Sequence, residues 1–421
     1  MSSQPAVPDA FDAIVVGAGA AGLATAIFAR RFNPALSVLL LDGAAKPGAK
    51  ILVSGGSRCN VTNRAVDERD FWGGRRTAIR RVLRAFTASD AIAWFQDLGV
   101  PLHEESSGKM FPDSNRSRDV LDALVREATA RGVTLLADHR VVDIRPGGGR
   151  VLVETRRGVF GAAAVVLATG GQSLPKTGSD GGSYDVLRRL GHTIVPTTPA
   201  LVPLVLDEQT SIHRDVTGVS QDVSLAIWID GTVDCRIDGS LLWTHTGASG
   251  PAAMNASRHW HRASLEGRSI HVTVNFCPPA SFDEVDRRLQ QHTQNSPRAT
   301  AQSLLARFVT ASVASAILHR IGVNGSHQAA QLEREERRRI SHALVEWPLP
   351  IVATRGYNFA EATAGGVALD DIDPATMASR RCPGLFIVGE VLDVDGRIGG
   401  FNFQWAWSSG FVAARALARR D

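Results

Sequence analysis

Phe11-Asp12-Ala13-Ile14-Val15-Val16-Gly17-Ala18-Gly19-Ala20-Ala21-Gly22 decides the reading of the chain. A short apolar strand runs into G-x-G-x-x-G, and an Ala-rich helix over residues 20–31 opens inside the motif. In such a turn the first glycine permits the tight bend. The second lets a pyrophosphate approach the backbone, and the third lets helix and strand pack closely. The free N–H groups of the helix start then face the phosphates. A second apolar strand over 37–41 follows and ends at Asp42, where a carboxylate can accept bonds from a ribose hydroxyl. Asp42 also disfavours a 2′-phosphate there, since like charges would meet. Gly17, Gly19, Ala20, Ala21, Gly22, Asp42 and Gly43 are therefore candidate dinucleotide contacts.

The fingerprint alone serves both NAD and FAD. Two further strand-to-glycine turns, Leu167-Ala168-Thr169-Gly170-Gly171 and Val388-Gly389-Glu390, lie far downstream in the chain. A cofactor touched by such distant segments is long and extended, which points to non-covalent FAD. Gly399-Gly400-Phe401-Asn402 precedes an amphipathic helix, and a helix N-terminus free of Cβ atoms can approach a flat ring and stabilise charge at N1 of a reduced flavin. Ala168, Thr169, Gly170, Gly389, Gly400, Phe401 and Asn402 join the set, as does Val141, which opens a strand at 141–144.

The rest of the chain sets the frame. With 421 residues, 44% hydrophobic and 21% charged, it is ordinary globular protein of two to three domains. Only four of its 46 basic residues are lysine (Lys46, Lys50, Lys109, Lys176), and the arginines are spread evenly. An even spread makes no binding stripe, so no nucleic-acid partner is expected. Four cysteines without C-x-x-C argue against zinc, Fe–S and dithiol chemistry, and fit a reducing cytoplasm. No apolar run approaches the ~18 residues of a membrane span. Gly170 to Thr177 resembles a P-loop, but Pro175 lacks the N–H a phosphate needs. Asp393-Val394-Asp395-Gly396 hints at a calcium loop whose liganding carboxylates are missing. No metal site is expected.

From about residue 195 strands come with turn residues, and after Asn275 the pattern turns helical, with helices expected at 282–291, 301–309, 313–320 and 328–344. A loop is expected between 290 and 301. Of the histidines, His245 sits between a strand and a helix start and is a catalytic candidate. His259 and His261 read as surface residues of a helix.

Several segments carry a family resemblance: Lys50-Ile51-Leu52-Val53-Ser54-Gly55-Gly56-Ser57-Arg58-Cys59-Asn60, Gly108-Lys109-Met110-Phe111-Pro112, Thr363-Ala364-Gly365-Gly366-Val367, and Gly389-Glu390-Val391-Leu392-Asp393-Val394-Asp395-Gly396 through Gly399-Gly400-Phe401-Asn402. The chain resembles the aminoacetone-oxidase-like bacterial FAD-binding flavoproteins, whose relatives include bile-acid reductases. The resemblance implies an α/β protein: a Rossmann-like FAD-binding domain, like half of glutathione reductase, made from residues 1–195 and 352–421. An insertion would carry a β-barrel-like part (196–280) and a helical part (281–351). It implies that Lys50 and the loop carrying Gly56, Arg58, Cys59 and Asn60 lie along the cofactor, with Glu390 and Asp393 near its ribityl or pyrophosphate portion. Ser57 stands where the family commonly has Gly, and Phe401 where it often has Tyr.

The expectation is an FAD-dependent oxidoreductase acting on a small organic substrate, an amine, a ketone or an activated double bond. The substrate would enter between the flavin and the insertion, and NAD(P)H could serve as a transient donor. Thr363, on the returning segment, is the second catalytic candidate. The alternatives are a fumarate-reductase-like enzyme and a flavin-bearing interaction protein.

Overall fold

The computed structural model describes residues 10–420. Five parallel strands form the heart of its largest sheet, in the spatial order Thr134–Leu136, Val38–Leu41, Ala10–Val16, Gly158–Leu167 and Leu385–Ile387. Val38–Leu41 is buried at every residue, as a strand covered on both faces requires. The fingerprint strand lies in the middle, so the glycine turn opens at the carboxyl ends of the strands, where such sheets bind ligands. Val141–Gly147 and Arg150–Thr155 continue the sheet as an antiparallel extension of Gly158–Leu167.

The two chain ends meet on this sheet. Helix Ala20–Phe32 packs against the closing helix Phe401–Leu417, and the contact is close because Gly410 faces it. A Cβ there would stand 2.9 Å from the Ala21 carbonyl oxygen and 3.0 Å from Thr25 Oγ1. Beyond Gly410 the same two helices share an aromatic cluster. Phe28 packs on Trp94 with centroids 4.6 Å apart, and Phe86 stacks on Phe411 at 4.9 Å. Such rings bury large apolar area and add about 0.5–1.5 kcal/mol per pair beyond it.

The chain divides into two compact units, the second being Pro199–Ala360. Its framework is the hairpin Ser220–Ile229/Thr232–Thr244, closed by Asp230-Gly231. Both turn residues have positive φ (51° and 81°), the twist-matched geometry for a two-residue hairpin loop. Helix Gly250–Leu265 lies on this hairpin through Ala252, Ala253 and Ala256, all fully buried. The β-rich and helical stretches share one core, in which Leu225 and Trp243 are grouped with Val285, Ile317 and Ile340.

The helical stretch departs from expectation in three places. Phe282–Asn295 runs further than expected, into the anticipated loop, and the next helix is only Ala301–Leu305. The long helix expected over 328–344 is broken into a 3-10 turn Ala329–Gln331 and a helix Arg334–Val345. The break is local: Glu333 caps the second helix, its side chain and that of Glu336 reciprocally binding the backbone N–H groups of N3 and the cap.

His259 corrects the expectation of a surface histidine. It is only 8% exposed, on the face of Gly250–Leu265 turned to the hairpin, and burial with the nearby Arg258 charge pushes its pKa down to about 3. His261 is half-buried, bonds Thr354 Oγ1 at 2.8 Å, and is pushed by burial to about 4.

Candidate cofactor site

The three fingerprint glycines divide their work. Gly17 has φ +101°, and a Cβ there would sit 2.4 Å from the Ala168 carbonyl oxygen. At Gly22 a Cβ would sit 1.8 Å from the Gly17 carbonyl oxygen. These two glycines hold helix against strand. A Cβ at Gly19 would meet nothing within 4 Å, so the space beside it is free. Ala20 and Ala21 begin the helix, whose first turn carries no acidic side chain to compete with an anion. Asp42 accepts from the N–H groups of Ala18 (2.7 Å) and Ala44 (2.8 Å), which fixes the carboxylate at the strand end beside the glycine turn. A carboxylate has about four acceptor positions, so two remain for ribose hydroxyls. Gly43 follows under the Arg140 side chain, and Val141 begins its strand half-buried.

A charged and polar network draws together residues far apart in the chain. Lys50 forms an ion pair with Glu390 and also reaches Ser173. Glu390 Oε1 accepts from Ser173 Oγ at 2.8 Å and from the Thr363 N–H at 2.9 Å. Thr363 is fully buried, and its hydroxyl accepts from the N–H groups of Gln172 (2.8 Å) and Ser173 (3.1 Å). The expectation of a catalytic Thr363 is corrected on that ground: its oxygen holds the turn after Ala168-Thr169-Gly170, as a positioning residue. Within that turn Thr169 bonds Ser183 at 2.7 Å, and Gly170 takes φ +73°. The half-buried Asp393 donates its backbone N–H to the Val367 carbonyl at 2.8 Å.

The Lys50 segment forms helix Ala49–Ser57, kinked at Ser54 to Gly56. Gly55, Gly56, Ser57 and Cys59 all take left-handed backbone conformations, with φ from 54° to 67°. A Cβ at Gly56 would meet nothing within 4 Å. Cys59 is fully buried and its thiol is pushed up to about 12 by burial, so it contributes backbone shape and no thiolate. Arg58 is committed to Glu105 at 2.6 Å and to the face of Phe111 at 4.1 Å. Asn60 is 9% exposed, and among the described residues no donor reaches its Oδ1. Because serine is strained at the φ of +67° that Ser57 adopts, Ser57→Gly is expected to stabilise the protein by about 1 kcal/mol. Chemical denaturation with the m value unchanged would show it.

At the other chain end Gly399 and Gly400 have φ of 126° and 93°, and a Cβ on Gly400 would lie 2.4 Å from the Thr62 carbonyl oxygen. Phe401 is fully buried with Arg397 over its ring at 4.3 Å. Asn402 clamps Gly396, accepting from its N–H at 2.9 Å and donating to its carbonyl at 3.0 Å. Gly389 is pinned to the closing helix: its N–H donates to Ser409 Oγ (3.1 Å) and its carbonyl accepts from Trp405 Nε1 (3.1 Å). The side chains of Phe401 and Asn402 are thus structural, and the first-turn N–H groups of the helix are what the site can offer.

Glu361 is the residue that sequence reasoning missed. It lies two positions before Thr363 and is exposed. Desolvation raises its pKa against the opposing charges of Lys50 and Lys109. Its signal is tertiary, because the three residues come together only in the fold. His245 lies exposed in the second unit.

An extended dinucleotide fits these residues. Gly19 leaves room for a pyrophosphate, Asp42 for a ribose, and the buried Asn60 Oδ1 lacks a donor that a ring N–H would supply. The fold and this site together define an FAD-dependent oxidoreductase on a Rossmann-like scaffold. Within that class the chain belongs to the family described as HI0933-like protein Rossmann domain, which it matches over residues 11–416. It is 31% identical over 406 residues to the 3-dehydro-bile acid delta(4,6)-reductase of Clostridium scindens, covering 96% of this chain and 98% of that one. It is 31% identical over 407 residues to the ribosomal RNA dihydrouridine synthase of Escherichia coli, covering 97% and 98%. In fold it is similar to a 3-ketosteroid-delta4-(5alpha)-dehydrogenase from Rhodococcus jostii RHA1, with a TM-score of 0.50 at 15% identity over 99% of both chains. Among the described residues no helix is long and apolar enough to cross a membrane.

Proposed function

We propose that this protein reduces a carbon–carbon double bond conjugated to a carbonyl group. The observation that carries the reading is that two full-length relatives are named for this one chemistry. A delta(4,6)-reductase of a 3-dehydro-bile acid and a dihydrouridine synthase each saturate a bond of this kind. Bound FAD supplies hydride equivalents at N5. The positive end of helix Phe401–Leu417 suits the anionic edge of a reduced ring. Lys50 is held in place at the site by Glu390 and Ser173. Glu361, whose pKa is raised by desolvation, is the proton donor in this reading, with His245 as the candidate from the second unit. In this reading NAD(P)H serves as a transient electron donor, which the assay below tests.

The substrate class spans a steroid-like enone and a uracil ring within RNA. The evenly spread arginines led to the expectation of no nucleic-acid partner, and the dihydrouridine synthase relative supports including RNA in the test. Anaerobic protein reduced with NADH or NADPH is expected to regain its oxidised absorption on adding a steroidal dienone or uridine-containing RNA, and not with fumarate. His245→Ala in the same assay measures that residue's share. Bleaching by amines with oxygen as the only effective oxidant would overturn the reading.

A further inference from the structure

The second unit contains a group of side chains that the flavin chemistry does not use. Asp234 and Cys235 are neighbours on Thr232–Thr244, and His259 lies on Gly250–Leu265. Adjacent residues on a regular strand point to opposite faces. Here the pairing slips: Ile227 opposes Cys235 and Trp228 opposes Val233, so Asp234 is the additional residue of a β-bulge. A bulge re-aims side chains, and this one brings Asp234 and Cys235 together on the ring of His259.

The distances are those of a coordination polyhedron. Cys235 Sγ lies 3.7 Å from His259 Nδ1, and Asp234 Oδ2 lies 3.7 Å from the same nitrogen. All three ligand atoms fall within 4.8 Å of one another. Tetrahedral zinc, with bonds of about 2.3 Å to sulfur and 2.0–2.1 Å to nitrogen and oxygen, sets its S···N and N···O edges at about 3.6 and 3.4 Å. A nucleophilic Cys-His-Asp relay would need thiol and carboxylate on opposite ring nitrogens. Here the carboxylate faces Nδ1, and the sulfur stands between the two nitrogens, 3.7 Å from Nδ1 and 3.8 Å from Nε2, so the three groups do not form such a line. Sulfur, imidazole and one carboxylate are a borderline-soft set that suits zinc over calcium or magnesium.

We propose that Asp234, Cys235 and His259 bind one zinc ion, with a fourth position open to solvent at the exposed Asp234 side. Binding forms the Zn–S bond and sends the thiol proton to solvent. The ion ties the bulged strand to the helix that covers it. The charge of Arg258 bears on both Cys235 and His259 and opposes the cation. Thiolate and carboxylate together outweigh it.

The test uses the flavin-loaded protein, stripped with chelator and titrated calorimetrically with zinc chloride. One zinc per chain is expected, with affinity lowered at least tenfold by Cys235→Ser and by Asp234→Asn, and raised by Arg258→Gln. FAD content and melting of the zinc-free variants control for folding. Zinc is also expected to block alkylation of Cys235, read on its peptide by mass spectrometry, while leaving Cys277 unaffected. Absence of stoichiometric binding, or binding that Cys235→Ser leaves unchanged, overturns the proposal.

Discussion

Gly19→Val is expected to give a folded protein that purifies colourless, where the wild type purifies yellow with about one FAD per chain. The two neighbouring glycines make this a sharp contrast. Nothing lies within 4 Å of a Cβ at Gly19, so a branched side chain there displaces only the ligand. Losing about 1.4 kcal/mol of contact already lowers affinity tenfold. Gly22→Ala places a carbon 1.8 Å from a backbone oxygen that cannot move away, and overpacking of that kind costs about 3 kcal/mol or more. The flavin-to-protein absorbance ratio and the thermal midpoint separate the two variants. The expected pattern is flavin lost with the midpoint of the apoprotein kept for Gly19→Val, and the midpoint itself lowered for Gly22→Ala. Full flavin content in Gly19→Val would mean that the fingerprint serves packing alone.

Glu361→Gln is expected to lower turnover by about 10²- to 10⁴-fold while FAD content stays at wild-type level. The pH dependence gives the mechanism its sign. Desolvation raises the Glu361 pKa, so the acid form is present below that raised value and is lost as pH rises through it. Turnover of the wild type should therefore fall on the alkaline side, and that limb should be missing from the residual activity of Glu361→Gln. The same sign holds for stability: the neutral carboxyl suits its surroundings at low pH, and ionisation at higher pH weakens the fold. Unchanged turnover in Glu361→Gln would assign the proton to another group or to water.

Much of the fold was readable because its signals are local. The run from Phe11 to Gly22 carries strand, turn and helix start in twelve residues, and Asp42 closes the next strand where a ribose partner belongs. What stayed hidden depends on what packs against what. His259 reads as polar on a helix, but the small residues Ala252, Ala253 and Ala256 let that helix sink onto the hairpin and take the histidine with it. Thr363 reads as an available hydroxyl until Gln172 and Ser173, 191 and 190 positions away, are seen to donate to it. Glu333 and Glu336 read as interior residues of one helix over 328–344, whereas their reciprocal cap starts a new helix.

The pairing of helix Ala20–Phe32 with helix Phe401–Leu417 has a consequence in time. The fingerprint helix leaves the ribosome early, with Leu23, Ala24 and Ile27 destined for full burial. Its partner is made some 380 residues later, which at about 5–20 residues per second is roughly 20–75 seconds of synthesis. Through that interval the fingerprint helix carries an uncovered apolar face, and Gly389, made near the end of it, is pinned only once Trp405 and Ser409 follow. Flavin capture therefore belongs to the end of translation. A chain stopped shortly before Phe401 would hold every fingerprint glycine and still depend on chaperones to stay in solution.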